Sequence, residues 1–205
     1  MKRILLVFGL LFLAGFAFAQ RFDAGLIAGF NGTQVEGDNL KGYHKVGVLG
    51  GIFVQTDIAP AIVAGMEIKY SQKGSRRKFD PKQADEDLVD KYIMRLGYID
   101  IPLFMAFRTN DRSMIIGGIA PGILLHSKEL NSDGEIPEQD RQEFNTFDLQ
   151  PFVGFQFDFL EHASVDLRFA LSVIPCSDKA ETNYYFHNGL FNNVISLALY
   201  YRLGR

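Results

Sequence analysis

The stretch YIMRLGYIDIPLFMAFR, residues 92–108, indicates the fold of this chain because its second half alternates in character at every position. Successive side chains of a β-strand point to opposite faces, so such a stretch presents two different walls. The first wall is apolar and consists of Ile99, Ile101, Leu103, Met105 and Phe107. The second wall is mixed and consists of Tyr98, Asp100, Pro102, Phe104, Ala106 and Arg108. We therefore predict a strand with different surroundings on its two faces.

The same alternation recurs along the chain and predicts eight extended segments. Besides the opening stretch, they cover residues 22–32, 43–56, 61–76, 113–126, 147–159, 164–174 and 193–203. Most of them exceed the roughly 9–11 residues with which a tilted strand crosses a bilayer. They are also longer than the usual strand of soluble sheets, which has about 5–6 residues. The segment lengths therefore favour a barrel that spans a membrane.

The connections between the segments alternate between short and long. Tight turns occupy residues 57–60, 109–112 and 160–163, and longer loops occupy residues 33–42, 77–91, 127–146 and 175–190. Bacterial outer-membrane barrels have an even number of strands, short periplasmic turns and longer extracellular loops. With a periplasmic N-terminus, the long loops would be extracellular, and two of them, 77–91 and 127–146, are acidic.

The facing of the charged residues predicts which wall contacts lipid. The apolar faces carry no charge over their central residues, where a Lys or Arg would cost about 2–4 kcal/mol in mid-bilayer. The mixed faces carry Glu67, Lys69, Asp100, Arg108, Asp158, Asp166 and Arg168. Buried charges need partners, so we predict that these residues form a structural polar network inside a barrel filled by side chains. Glu67, Lys69 and Asp100 are expected to share one network, and the functional alternative is a narrow ion pore.

Two features of the strands need special arrangements. Pro102 has no N–H, and a closed barrel has no edge strand on which that loss would be harmless, so we expect a bulge or a locally unpaired carbonyl there. The chain has no Trp, so other aromatic residues near the segment ends must form the girdles of a membrane barrel. The candidates are Phe22, Tyr43, Tyr70, Phe107, Phe159 and Tyr201.

The first 19 residues have the pattern of a secretory signal peptide. Lys2 and Arg3 precede an almost wholly apolar run, and residues 17–19 form an A-x-A cleavage site. We therefore predict a cleaved signal peptide at 1–19 and an outer-membrane barrel domain at 20–205; an uncleaved anchor is the alternative. Removal of Lys2 and Arg3 leaves 19 basic and 24 acidic residues, a net charge of −5. This charge argues against nucleic acid as a partner.

The sequence predicts no catalytic residue, no cofactor and no metal ion. A lipid-modifying barrel enzyme would need a His–Ser set near the outer rim, for which His44 or His187 could pair with Ser71 or Ser127. Such sets are recognised by geometry and not by the presence of residue types. The acidic clusters at 85–87 and 133–140 lack the spacing of an EF-hand. The lone cysteine, Cys176, is interpreted as a small apolar residue.

Three motifs resemble the PorT-like outer-membrane β-barrel proteins of the Bacteroidetes. They are GMEIKYSQKG at 65–74, YIDIPL at 98–103 and GGIAPG at 117–122. The resemblance covers essentially the whole mature chain. It implies an integral outer-membrane β-barrel protein of the cell envelope, but it does not imply a particular activity.

We predict an all-β, eight-stranded, antiparallel up-and-down transmembrane barrel with a non-catalytic structural, assembly or surface-binding role. Its expected partners are outer-membrane lipid, the barrel assembly machinery during insertion and an unidentified envelope protein, and the barrel is expected to be a monomer. Two alternatives stay open: a lipid-modifying outer-membrane barrel enzyme and a soluble periplasmic ligand-binding barrel.

Overall fold

A sheet of antiparallel strands forms the molecule, and the computed structural model describes residues 22–38, 42–77, 92–178 and 189–203. The strands in these ranges are β1 (Phe22–Glu36), β2 (Lys45–Ala59), β3 (Ile62–Lys73), β4 (Ile93–Asp100), β5 (Leu103–Asn110), β6 (Ser113–Asn131), β7 (Gly134–Glu135), β8 (Phe147–Asp158), β9 (Ala163–Leu171) and β10 (Phe191–Arg202). A short 3-10 helix, Glu138–Asp140, lies between β7 and β8. Within the described ranges, no helix is long and apolar enough to cross a membrane.

The sheet closes on itself. Neighbouring strands pair in chain order, and the first strand, β1, also pairs with the last strand, β10, from Gly25 opposite Arg202 to Glu36 opposite Phe191. All of these pairings are antiparallel. The all-β, antiparallel, up-and-down architecture predicted from the sequence is confirmed.

The ten strands differ from the predicted eight at two places. The segment at 92–108 is divided into β4 and β5 at Ile101 and Pro102, although both halves pair with β3 on one side and β6 on the other. The two-residue β7 forms a hairpin with the end of β6. The ten strands therefore occupy eight positions around the closed sheet.

Pro102 marks the division between β4 and β5, and the predicted bulge at this residue is wrong, because the pairings with β3 and β6 keep the same register from Asp100 to Leu103. The carbonyl of Pro102 accepts a hydrogen bond from the N–H of Glu67 at 2.9 Å. The N–H of Ile101 donates to the carbonyl of Pro121 at 2.8 Å. The ladder therefore continues past the proline, which itself cannot donate. The register against β6 shifts instead between Gly97 and Tyr98 in β4 and between Arg108 and Asn110 in β5.

The two walls of the strands face in opposite directions, as their alternation requires. In the opening stretch, Leu103, Met105 and Phe107 are about half exposed, whereas Phe104 and Ala106 are buried. The same exposed apolar wall continues around the ring, for example at Phe155 in β8 and at Leu26, Ile52, Leu167 and Leu197 in other strands. The apolar wall thus forms the outside of the ring, and the mixed wall lines its interior.

An arginine placed in the middle of the apolar wall tests whether that wall lies in lipid. Leu197 lies near the centre of β10 and is 54% exposed, and Leu203 lies just beyond its end and is 62% exposed. We expect Leu197→Arg to lower the free energy of unfolding in phospholipid vesicles by about 2–4 kcal/mol, and Leu203→Arg by about 0–1 kcal/mol. Guanidinium titrations of the two variants measure the difference. Equal losses would show that this wall does not lie in a bilayer.

Candidate functional site in the barrel interior

Glu67 and Arg168 form the centre of a buried ion cluster. The Arg168 guanidinium donates to both carboxylate oxygens of Glu67, at 3.0 and 2.7 Å. Asp166 lies 2.8 Å from Nε of Arg168, and Nζ of Lys69 lies 3.4 Å from Glu67. The hydroxyl of Tyr200 donates to Glu67 at 3.0 Å. Two carboxylates and two cations make this central cluster neutral, which lowers the cost of burying its charges.

The central cluster crosses the interior of the ring. Glu67 belongs to β3 and Arg168 to β9, and these two strands are four positions apart in the eight-position sheet. The Arg168–Glu67 ion pair therefore joins opposite walls. Gly154 makes room for the Arg168 side chain, because a Cβ at that glycine would lie 2.6 Å from Cγ of Arg168. The Arg168 guanidinium also lies 5.0 Å from the ring centre of Phe152, within the range of cation–π attraction.

Lys73 forms a second buried cluster towards the end of the ring that carries the long loops. Its ammonium group lies 3.0 Å from Asp100, 3.1 Å from Asp148 and 2.8 Å from the amide oxygen of Gln150. It also lies 4.5 Å from the ring centre of Tyr98. Lys73 ends β3 and Asp148 lies in β8, three positions away around the sheet. This Lys73 cluster is therefore a second bridge across the interior.

Neutral donors complete the coordination of Asp148. The hydroxyl of Ser172 donates to Asp148 at 2.6 Å, and the side-chain amide of Asn192 donates to it at 3.1 Å. The Lys73 cluster has two carboxylates and one cation, so these donors offset part of the unbalanced negative charge. The second bridge thus extends to residues beside the loop between β9 and β10.

An apolar group covers the Lys73 cluster at the long-loop end. It comprises Val35, Met94, Leu96, Tyr98, Cys176 and Leu190. The backbone of Cys176 is held on two sides, since its N–H donates to Leu190 at 2.6 Å and its carbonyl accepts from Asn145 at 2.7 Å. Burial, followed by the nearby Asp148 carboxylate, raises the pKa of the Cys176 thiol. The thiol is therefore protonated, and it packs in the apolar group as a small apolar side chain would.

The end of the ring with the short turns is open. A polar cavity of about 270 Å³ lies there. Two ion pairs line it, Arg108 with Asp57 and Arg202 with Asp158, the second at 2.6 Å. The Arg108–Asp57 pair is partly exposed, so water screens it more strongly than the two interior clusters.

The seven residues proposed from the sequence as one interior network fall into three groups. Glu67, Lys69, Asp166 and Arg168 share the central cluster. Arg108 and Asp158 lie at the open end and belong to different ion pairs. Asp100 does not join Glu67 and Lys69 as expected. It is opposite Lys69 in the ladder, yet its ion pair is with Lys73.

The network predicted from the sequence does not include several residues that complete the two clusters, although the alternation places Tyr98 on the mixed wall. They are Lys73, Tyr98, Asp148, Gln150, Ser172, Asn192 and Tyr200. Lys73 lies an even number of residues from Glu67, and Asp148 an even number from Asp158. Alternation alone could therefore have assigned both to the inner wall.

The residues considered for catalysis or metal binding are not assembled in the described ranges. His126 stacks on Tyr70, with ring centres 6.2 Å apart, whereas Ser71 accepts a hydrogen bond from Asn31 at 2.9 Å. No group of three or more His, Cys, Asp or Glu residues that could hold a metal ion occurs there. His187 and the acidic cluster at 85–87 lie outside the described residues.

Comparisons with known proteins agree with this architecture. The profile described as "Outer membrane protein beta-barrel domain" matches residues 18–178. Ail, the attachment invasion locus protein of Yersinia pestis, solved with the heparin analogue sucrose octasulfate, is 14% identical with a TM-score of 0.51, covering 89% of this chain and 99% of Ail. Neisserial surface protein A is 10% identical with a TM-score of 0.52, covering 89% and 97% of the two chains. At these identities the likeness shows the fold alone. No curated protein matches the sequence.

Removal of the Arg168 guanidinium tests the central cluster. Arg168→Met leaves the Glu67 charge buried without its main partner, so we expect a loss of about 3–5 kcal/mol in the free energy of unfolding. The double variant Glu67→Gln/Arg168→Met should lose less, because the two charges that remain, Asp166 and Lys69, are opposite in sign and balance each other. Arg108→Met is the control, since its ion pair is partly exposed and should be worth about 0–1 kcal/mol. Guanidinium unfolding in vesicles measures all three; similar losses for Arg168→Met and Arg108→Met would contradict the expectation.

Proposed function

The chain belongs to the outer membrane protein beta-barrel domain family, and from this premise we propose that it is a sealed, non-catalytic barrel of the cell outer membrane. The observation that supports this proposal is the pair of ion bridges inside the ring, Arg168 with Glu67 and Lys73 with Asp148. A continuous water path would have to pass both bridges and the apolar group at the long-loop end. Side chains normally fill the interior of an eight-stranded barrel. The interior is a structural plug, so the function resides on the outer surfaces.

The long-loop end is the candidate binding surface. The loop between β7 and β8 is tied to the segment after β9, because Ser177 donates to the carbonyl of Glu143 at 2.7 Å and accepts from Gln142 at 3.1 Å. Asn145 also donates to the carbonyl of Pro175 at 3.0 Å. Such links hold a surface in one shape, which lowers the entropy cost of binding a partner. We assign a surface-binding role to this outer crown, formed by residues 132–146 and 172–178.

The charge of the outer crown defines the kind of partner. Its first segment carries one basic residue, Arg141, and five acidic residues, Asp133, Glu135, Glu138, Asp140 and Glu143. A polyanion of the kind solved with Ail would be repelled by this surface, so the proposed envelope partner has a basic contact surface. Nucleic acid is disfavoured as a partner for the same reason.

The proposal also includes export by a signal peptide and membership in the PorT-like branch of Bacteroidetes barrels. A cleaved signal peptide at 1–19 would deliver the chain to the periplasm, and the barrel assembly machinery would insert it as a monomer. The motifs at 65–74, 98–103 and 117–122 support the PorT-like assignment. The exposed apolar wall supports contact with outer-membrane lipid.

The two alternative functions, a lipid-modifying enzyme and a soluble periplasmic barrel, require structural features of their own. A lipid-modifying enzyme needs a His–Ser pair in hydrogen-bond reach, and the described ranges contain none between His44, His126 or His162 and Ser71 or Ser127. A soluble periplasmic barrel needs a polar outer wall and an apolar interior. The observed wall has the opposite arrangement, so the sealed membrane barrel is favoured.

Cysteine labelling on intact cells tests location and orientation together. Asp133 lies in the outer crown and Asp111 in a short turn, and both are exposed. In a Cys176→Ala background, we expect a membrane-impermeant maleimide to label Asp133→Cys on intact cells, because the long loops face outwards. The matched variant Asp111→Cys should react only after permeabilisation. A soluble periplasmic protein would give no label at either site on intact cells, and an inverted barrel would give the reverse pattern.

Planar-bilayer recording tests the sealed interior. We expect the purified wild-type protein to show no regular single-channel conductance, because the two ion bridges and the apolar group occupy the lumen. A large-bore porin reconstituted in parallel provides the positive control. Discrete and reproducible open-channel steps from the wild-type barrel would contradict the plug and favour the narrow pore.

A further inference from the structure

Two cations stand side by side on the outer wall of the barrel. Arg95 of β4 and Lys128 of β6 are direct partners in the antiparallel ladder. Direct partners share a face, with their Cβ atoms about 4.5–5.5 Å apart, and like charges in such a pair destabilise the sheet. Arg95 and Lys128 are both exposed, whereas their neighbours Met94, Leu96 and Glu129 are buried. The sequence therefore places two like charges on the outside, where each raises the free energy of the other.

The nearby carboxylates do not neutralise this cation pair. Lys128 lies 3.3 Å from Glu135, but Glu135 also binds Arg141 at the shorter distance of 2.7 Å. Within the described ranges, no ion pair joins Arg95 to a carboxylate. Among the described residues, Glu135 is thus the one carboxylate paired with Lys128 and Arg141, and Arg95 adds a third positive charge beside them. This positive charge can be offset by an anion from outside the chain.

The outward-facing residues of β4 and β6 change in character towards the long-loop end of the barrel. In β4 and β6, the apolar pair Ile99 and Ile123 comes first, and the next outward pair, Gly97 and His126, follows in the ladder. The His126 ring lies across Gly97, because a Cβ at that glycine would meet the imidazole at 2.3 Å, and it stacks on Tyr70. Arg95 and Lys128 form the next pair, about 7 Å further on. The order is therefore apolar, aromatic and cationic.

This order matches the passage from hydrocarbon to headgroups at a membrane surface. Aromatic girdles of membrane barrels lie at the interface, so charges just beyond a girdle meet the headgroup phosphates. A guanidinium can bind two phosphate oxygens at once, and an adjacent ammonium adds a second positive charge. The other outward positions near the long-loop ends of their strands, Gln34, Val46, Phe147 and Leu171, are uncharged. Arg76, just beyond β3, is also exposed and is paired with Ile93 of β4. The exposed cations are therefore concentrated on the side formed by β3, β4 and β6.

We propose that Arg95 and Lys128 form a binding site for the phosphate group of an anionic lipid in the outer leaflet. The inference rests on the proposed orientation, in which the long loops face outwards. A lipid reaches the pair sideways, below the acidic outer crown, whereas the crown repels soluble polyanions that approach from above. The stacked rings of His126 and Tyr70 would lie against the part of the lipid just beneath its phosphate.

Native mass spectrometry of the full mature protein in detergent, titrated with bis-phosphorylated lipid A, tests the site. Wild type should bind the lipid, and the variant Arg95→Gln/Lys128→Gln should bind about 30-fold more weakly, since each cation near an anionic surface contributes about fivefold. Arg112→Gln removes an exposed charge from a short turn and should bind like wild type. Lipid A stripped of its phosphates should bind wild type as weakly as the double variant binds intact lipid.

Three results would overturn the site. They are unchanged binding by the double variant, equal weakening by Arg112→Gln, and displacement of the lipid by millimolar inorganic phosphate, which would indicate a site for the free ion. A heat-dependent shift in electrophoretic mobility shows that each variant is folded. The labelling pattern of the Asp133→Cys and Asp111→Cys variants reports orientation separately, so a failed lipid titration with the expected labelling contradicts this inference alone.

Discussion

The hydrogen bonds between β1 and β10 are the constraint on which the rest of the structure depends. Their register, from Gly25 opposite Arg202 to Glu36 opposite Phe191, removes the last free edges of the sheet. In hydrocarbon, an unpaired backbone group has no water to bind, so a sheet that spans a bilayer must close in this way. Closure also gives every strand one inner and one outer face. The alternation then places apolar residues on the outer face and mixed residues on the inner face of the strands around the ring.

Closure at eight positions leaves an interior narrow enough for side chains from opposite walls to meet. The Arg168–Glu67 ion pair joins β9 to β3 across the lumen, and Gly154 provides the space that the arginine occupies. A complete buried ion pair adds little net stability over well-packed apolar residues, but a broken one is costly. The bridges join distant strands across the lumen, and in the proposed sealed barrel they obstruct the passage of water.

The two ends of the barrel have different physical characters because the connections differ. The short turns leave an open polar cavity lined by partly exposed ion pairs. The long-loop end is covered by an apolar group and by loops that hydrogen-bond to one another. Below this acidic crown, Arg95 and Lys128 face sideways. The two proposals place a surface for a basic partner and a lateral site for lipid phosphate at the same end of the protein.

The sequence by itself determined which side chains face inwards. Alternation is a local property of a strand, so the inward positions of Glu67, Lys69, Asp166 and Arg168 followed from counting residues. The tertiary structure alone decided which of the inward charges meet. Asp100 pairs with Lys73 and not with Glu67, and the carbonyl of Pro102 finds a donor in the neighbouring strand. Such contacts depend on register and on position around the ring, which arise only when distant segments pair and the sheet closes.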